Sequence, residues 1–248
     1  MVKFGLIGYP LKHSFSGRFF SEKFKKEHID AVYLNFEIPE ITQFPQILKS
    51  NPELKGLNVT IPYKEQVISY LDDISDDAKK IGAVNVIKIE RTEQNVKLVG
   101  YNSDVIGFQN SISPLINTSI HHKALILGTG GAAKASNKGL RNLGLETKYV
   151  SRTPKEGMFT YQDLDEKLMR EYTVIVNCTP LGTFPDIDEA PEIPYQYLTA
   201  KHLLYDLVYN PAETKYLKLG KEKGAAVKNG EEMLRLQALA AWEIWNRK

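Results

Sequence analysis

The sequence predicts an α/β chain of two domains, and three observations carry that prediction. Short apolar runs alternate with amphipathic stretches along the whole chain, the pattern of sheets covered by helices. A glycine-rich turn, Gly128-Thr129-Gly130-Gly131-Ala132-Ala133, directly follows the apolar run Ala124-Leu125-Ile126-Leu127 and opens an alanine-rich helical stretch. More than a hundred residues precede that turn, enough for a complete domain ahead of it.

The elements follow in order. Val2 to Gly8 is a buried strand closed by a turn at Tyr9-Pro10, and Phe15, Phe19, Phe20 and Phe24 then recur at helical spacing. Val32 to Glu37 is a second strand, and Ile41, Phe44, Ile47 and Leu48 mark a helix near Pro39 and Pro45. Leu57 to Ile61 is a third strand, followed by a helix carrying Val67, Ile68 and Leu71. Ser75 is placed to cap a short helix. Val84 to Ile89 and Val96 to Tyr101 form a hairpin around the polar loop Arg91 to Asn95. After a helix over Val105 to Ile112 come strands at Lys123 to Leu127, Glu146 to Val150, Thr173 to Cys178, His202 to Leu207 and Ala225 to Lys228. Helical patterns separate most of them, which predicts a parallel, doubly wound sheet. Glu231 to Arg247, free of Pro and Gly, is the last helix.

Composition excludes several classes. Hydrophobic residues make up 42% and charged residues 25% of 248, the balance of an ordinary globule. A net charge of +2 with interspersed signs gives no nucleic-acid surface, and Lys23-Phe24-Lys25-Lys26 reads as the solvated face of a helix. The single Cys178 rules out an internal disulfide and suits a reducing compartment. No apolar stretch is long enough for a membrane span, and Phe4-Gly5-Leu6-Ile7 is too short for a signal-peptide core, so a cytoplasmic protein is expected. His121-His122 reads as a solvated loop pair, and no metal site is expected.

The glycine turn is the G-x-G-x-x-A form of a dinucleotide fingerprint in the strand–turn–helix context it needs. Glycines let the backbone approach a pyrophosphate, and the helix behind offers unpaired N–H groups and the positive end of its dipole. The end of the next strand selects the nucleotide. An acidic residue roughly 20 positions past the glycines would accept from a ribose 2′-hydroxyl, whereas an arginine suits a 2′-phosphate. That strand runs into Ser151-Arg152-Thr153, a guanidinium fork between two hydroxyls, and the cofactor is therefore read as NADP.

Polar residues in the first half gather at strand ends, where open α/β sheets place ligands. They are Ser14 and Ser16, Asn58 and Thr60 with Lys64, and Asn85 with Asn102-Ser103-Asp104. Asn58 and Thr60 share one face of a strand, where a polar pair is out of place unless something polar sits against it. Neutral amides and hydroxyls suit a polyol, because they can both give and accept hydrogen bonds. Capping accounts equally well for Ser14, Ser16 and Asp104, but not for Asn58.

At these residues the chain resembles the shikimate dehydrogenases over nearly its whole length. The resemblance is carried by Gly8-Tyr9-Pro10-Leu11-Lys12-His13-Ser14-Phe15-Ser16, Asn58-Val59-Thr60-Ile61-Pro62-Tyr63-Lys64, Gly82-Ala83-Val84-Asn85 and Gly100-Tyr101-Asn102-Ser103-Asp104. It continues through the glycine turn, Asn177-Cys178-Thr179-Pro180-Leu181-Gly182, Tyr205-Asp206-Leu207-Val208-Tyr209-Asn210-Pro211 and Asn229-Gly230 to Gln237. It implies a substrate-binding domain, residues 1–105 with the last helix 231–248 returning to it, and a Rossmann-type NADP domain over 106–230.

The implied reaction is the reversible NADP-linked interconversion of 3-dehydroshikimate and shikimate, on the route to chorismate and the aromatic amino acids. By the same resemblance Ser14 and Ser16 hold the substrate carboxylate, and Thr60, Asn85, Asp104 and Gln237 hold its hydroxyls, with Asn58 beside them and Tyr209 nearby. Lys64 and Asp104 form the catalytic pair. Gly128, Thr129, Gly130, Gly131, Ala132, Ser151, Arg152 and Thr153 bind NADP, Leu207 and Gly230 flank the nicotinamide, and Asp76 matches a position that can lie near the cofactor. A carboxylate partner favours the ammonium form of Lys64, which suits proton donation to a ketone; in oxidation either member of the pair remains a candidate acceptor.

Two departures from the family pattern stand out. Gly17 and Phe19-Phe20 replace the usual Pro and His-Asn after the second serine, which bears on helix entry, and Ser151 replaces the usual Asn before Arg152, which bears on the adenosine side. A monomer or homodimer acting on a small molecule is expected. The rival readings are a dehydrogenase of the same fold that also accepts quinate or NAD, and a catalytically silent dinucleotide sensor.

Overall fold

The computed structural model describes residues 1–11, 15–93 and 95–247. Two compact units emerge, one of Met1–Ser103 together with the chain from Gln237 onward, the other of Asp104–Leu236.

The first unit is built from β1 (Val2–Gly8), α1 (Phe15–Lys26), β2 (Ala31–Glu37), α2 (Phe44–Ser50), β3 (Leu54–Val59), β4 (Asp73–Ile74), α3 (Asp76–Ile81), β5 (Val86–Arg91) and β6 (Val96–Tyr101). Its strands form one mixed sheet in the order β2-β1-β3-β5-β6-β4. β1 pairs in parallel with β2 and β3, while β3–β5 and the hairpin β5–β6 are antiparallel.

The two-residue period of the strands divides the apolar side chains between the sheet's faces. Phe4 and Leu6 of β1 and Val86 of β5 join Phe20 and Phe24 of α1 and Ala241, Ile244 and Trp245 near the C-terminus. Ile7, Leu57, Ile87 and Ile89 join Phe44, Ile47 and Ala78 on the other side. Trp245 lies over Gly56, where an added Cβ would come within 2.3 Å of the indole, and its Nε1 donates to the Ile87 carbonyl at 3.1 Å. The tryptophan is therefore a core residue.

The second unit comprises α4 (Asp104–Ile112), β7 (Lys123–Leu127), α5 (Gly131–Asn142), β8 (Glu146–Ser151), β9 (Phe159–Thr160), α6 (Glu166–Glu171), β10 (Val174–Asn177), β11 (Leu203–Asp206), α7 (Lys215–Glu222) and β12 (Ala226–Lys228). All its strand pairs are parallel, in the order β12-β11-β10-β7-β8-β9. The order reverses between β7 and β10, the position where doubly wound sheets open a crevice at their strand C-termini. The last helix, α8 (Glu231–Asn246), contributes Met233 to this unit's core and Ala238 onward to the first unit's.

Several elements differ from expectation. β3 begins at Leu54, which pairs with Lys3, and ends at Val59; Ile61, expected as its last residue, is 73% exposed. The helix expected around Val67 is a short 3-10 segment, Gln66–Tyr70. β4 and β9, of two residues each, carry no strand signal of their own. His121 is not solvated: it is buried, with Nδ1 accepting from the Asn117 N–H at 3.0 Å and Nε2 3.1 Å from the Lys201 carbonyl, while His122 is exposed. Burial lowers the pKa of His121 and so favours the neutral ring that this pairing needs. No cluster that could hold a metal occurs among the described residues.

Candidate active site

In the first unit Asn58, Asn85, Ser103 and Gln237, all named from the sequence, join one buried network with Tyr33. Asn58, at the C-terminal end of β3, is 4% exposed. Its Oδ1 accepts from the Tyr33 hydroxyl at 2.8 Å, and its Nδ2 donates to the Asn85 carbonyl at 3.4 Å. Asn85, just before β5, accepts at Oδ1 from the Ser103 N–H at 2.7 Å and donates from Nδ2 to the Ser103 hydroxyl at 3.1 Å. The Ser103 hydroxyl also lies 3.4 Å from Oε1 of Gln237, a buried residue. Ser16 is half-buried in the first turn of α1.

This answers the difficulty Asn58 posed. Its core partner is a phenol from β2, and Tyr33 is the network member that sequence reasoning passed over. Tyr33 read only as a strand residue, because its partner lies two strands away. Each link is a neutral amide or hydroxyl, so the cluster carries no net charge and offers both donors and acceptors.

Of the remaining first-unit candidates, Thr60 and Lys64 are half-buried and Asp76 is exposed. Thr60, half-buried just past β3, is fixed by its N–H donating to the Ile7 carbonyl at 2.9 Å. The half-buried Lys64 is anchored through its backbone carbonyl, which accepts from the Val84 N–H at 2.7 Å. Ser14 lies outside the described residues. Asp76 is exposed in the first turn of α3, whose N-cap Ser75 accepts from the Ala78 N–H.

The second unit holds the others. Asp104 is buried and is itself the first residue of α4, one position earlier than the helix was expected to start. Gly128 ends β7 with φ of +106°, a conformation that costs glycine alone nothing, and its N–H donates to the Val150 carbonyl at 3.0 Å. Gly130 is the N-cap of α5, and no side-chain cap bonds the first-turn amides. A Cβ added at Gly130 would meet nothing within 4 Å. Thr129, Gly131 and Ala132 are half-buried in the same turn. At the end of β8 the buried Ser151 hydroxyl accepts from the Thr153 N–H at 3.3 Å, leaving Arg152 exposed at the tip of the turn.

Beyond β10 and β11 lies a second buried network, with no counterpart in the sequence reading. The Asp206 carboxylate, fully buried, accepts from Asn177 Nδ2 at 2.9 Å, the Val208 N–H at 3.0 Å and the Thr214 hydroxyl at 2.6 Å. Asn177 in turn accepts from the Thr179 N–H at 3.0 Å and the Thr179 hydroxyl at 2.6 Å. Burial pushes the Asp206 carboxyl up to about 6, against the pull of its three donors. The network ties down both segments that follow the strands, including Leu207, which is half-buried, and Tyr209, which is 39% exposed. Gly230 lies so close to Leu207 that an added Cβ would sit 2.2 Å from its carbonyl oxygen. Burial also holds the Cys178 thiol up to about 12, so this half-buried cysteine is not a nucleophile at neutral pH.

These residues fit a dinucleotide. The positive-φ glycine, the open space at Gly130, the uncapped α5 and the exposed Arg152 provide backbone donors for a pyrophosphate and a guanidinium for a further phosphate.

Comparison with known proteins supplies the family. The family model of the shikimate dehydrogenase substrate binding domain matches residues 6–87. The chain is similar to the protein named shikimate dehydrogenase (NADP(+)) of Carboxydothermus hydrogenoformans, 39% identical over 97% of this chain and 90% of that one. It is likewise 39% identical to the protein of that name from Clostridium beijerinckii, over 99% of this chain and 92% of that one. In structure it is similar to the Thermus thermophilus shikimate 5-dehydrogenase solved in complex with NADP(H) and shikimate, with a TM-score of 0.85, 30% identity and coverage of 99% and 94%.

Proposed function

The chain belongs to the shikimate dehydrogenase family, and from that premise we propose how its residues divide the work of the family's reaction. The protein is an NADP-dependent oxidoreductase that interconverts 3-dehydroshikimate and shikimate. The observation that carries the residue assignment is the buried amide–hydroxyl network of Tyr33, Asn58, Asn85, Ser103 and Gln237. Such a network is poor core material but a suitable receptor for a ring bearing several hydroxyls.

The first unit is the substrate domain. Ser14 and Ser16 hold the carboxylate; Asn58, Thr60, Asn85 and Gln237 hold the hydroxyls. The second unit is the NADP domain, with Gly128 to Ala132 holding the pyrophosphate, Ser151 to Thr153 the adenosine 2′-phosphate, and Leu207 and Gly230 the nicotinamide end. Asp76 is a further candidate cofactor contact, and Tyr209 a substrate contact. The cofactor, when bound, exchanges a hydride with the alcohol carbon. Lys64 moves the accompanying proton at the alcohol oxygen. Asp104 is its catalytic partner and holds a substrate hydroxyl. The enzyme works in the cytoplasm as a monomer or homodimer; no helix among the described residues is long and apolar enough to cross a membrane.

Initial rates of reduced-cofactor formation test this reading, measured with shikimate and quinate against NADP and NAD in all four combinations. Shikimate with NADP is expected to be fastest by at least about tenfold: NAD lacks the phosphate that the fork binds, and quinate adds to the ring a hydroxyl for which the network assigns no partner. Comparable rates on quinate or with NAD would replace this reading with the relaxed dehydrogenase. No rate on either acid would remove it.

A further inference from the structure

We propose that Tyr33 is a positioning residue for the substrate: its phenol fixes which end of the Asn58 amide faces the ligand. This rests on the reading of Asn58 as a substrate group given above.

Register makes the contact unusual. Tyr33 pairs with Phe4 of β1, whereas Asn58 of β3 pairs with Leu6, so the phenol reaches across β1 to a strand two places away. Two inter-strand spacings amount to about 10 Å, a span that an aromatic side chain with a terminal oxygen can bridge. The ring is stacked on Phe20, with centroids 4.8 Å apart and planes at 12°, and packs near Trp245 at 6.5 Å. A phenylalanine would serve that packing equally well. What the hydroxyl adds is the bond to Asn58.

Proton accounting then fixes every orientation. A carbonyl oxygen cannot donate, so the single phenolic proton goes to Asn58 Oδ1. Burial holds the phenol far above its ordinary pKa, so it stays a donor at any working pH. With Oδ1 committed, Asn58 offers N–H groups elsewhere, one of them to the Asn85 carbonyl at 3.4 Å. The flipped amide would set Oδ1 against that carbonyl, two acceptors face to face. Asn58 is thereby held as a donor, matched to the lone pairs of a substrate hydroxyl.

The test is Tyr33→Phe in the full-length enzyme, assayed with shikimate and NADP. The KM for shikimate is expected to rise about tenfold, with kcat within about threefold and the KM for NADP unchanged, because a ground-state orientation is lost and not a step of the chemistry. Two further readouts separate positioning from general loosening. Discrimination against shikimate analogues lacking one of the hydroxyls that is not oxidised should shrink. Asn58→Ala should also cost much less in the Tyr33→Phe background than alone.

An unchanged shikimate KM, or strictly additive effects of the two substitutions, would overturn the inference. Should Tyr33→Phe fail to fold, 3-fluorotyrosine placed at position 33 keeps the hydroxyl and makes it a stronger donor. It should lower the shikimate KM, and no change would overturn the inference. A wild-type enzyme inactive on shikimate overturns the functional reading itself, whereas an active wild type with an indifferent Tyr33→Phe overturns only the role of Tyr33.

Discussion

Arg152 stands exposed beyond a strand end whose buried Ser151 hydroxyl braces the turn, so its guanidinium is available without rearrangement of the backbone. Arg152→Ala should raise the KM for NADP by about tenfold or more and leave that for NAD nearly unchanged, the signature of a lost phosphate contact. Equal effects on both cofactors would assign Arg152 elsewhere. Lys64→Ala should lower kcat by at least about a hundredfold while the dissociation constant for shikimate moves by less than about threefold, as loss of a proton-transfer group requires. A weakened dissociation constant with intact turnover would contradict that role. Much of the proposed site was legible in the sequence: Asn58 is polar where a core would be apolar, Asn85 stands at a strand end, and Gln237 follows from the family resemblance. Tyr33 and Asp206 were not, since their meaning lies in partners distant in the chain: Asn58 and Asn177.

Elements rather than single atoms explain the cofactor turn. Gly130 has φ of −75° and ψ of −177°, which any residue adopts, and open space around it. Gly130→Val should therefore leave stability within about 1 kcal/mol while weakening NADP binding about tenfold or more, because a side chain there obstructs the pyrophosphate. Gly139, in the middle of α5, is the opposite case. An added Cβ would sit 2.8 Å from the Phe108 ring of α4, so Gly139→Val should cost about 1–3 kcal/mol of stability, read by chemical denaturation.

The segments after β10 and β11 depend on Asp206, and the sign of its pH dependence can be worked out. Its folded pKa, about 6, lies above the ordinary 3.8, so the folded chain holds a proton that the unfolded chain has lost. Its contribution to stability is fully present below the lower value and is gone once pH has risen through the upper one. Asp206→Asn, which cannot titrate, should look on the order of 3 kcal/mol less unfavourable relative to wild type at about pH 7 than at about pH 4. A pH-independent difference would contradict the assignment. At this scale the sequence pattern located every long strand, and it missed β4 and β9, because two residues show no period.

For the whole molecule, the alternation of strands and helices announced a parallel sheet in the second unit, and that sheet is parallel throughout. Its strand order, with β7 beside β10, could not be read from the chain, because pairing joins segments widely separated in sequence. The mixed sheet of the first unit was harder still: its hairpin β5–β6 follows from local pattern, but the insertion of β1 between β2 and β3 does not. That sheet gathers Asn58, Asn85 and Tyr33 into one network, and the parallel sheet of the second unit places the glycine turn at a strand C-terminus. The central claim is that one chain carries both a polyol receptor and a dinucleotide receptor for direct hydride transfer. The measurement that tests it most directly is turnover of shikimate carrying deuterium at the alcohol carbon that is oxidised, with the reduced NADP then analysed for label. The account predicts one deuterium in each reduced cofactor and none released to water. Reduced cofactor without label, or no reduced cofactor at all, would contradict it.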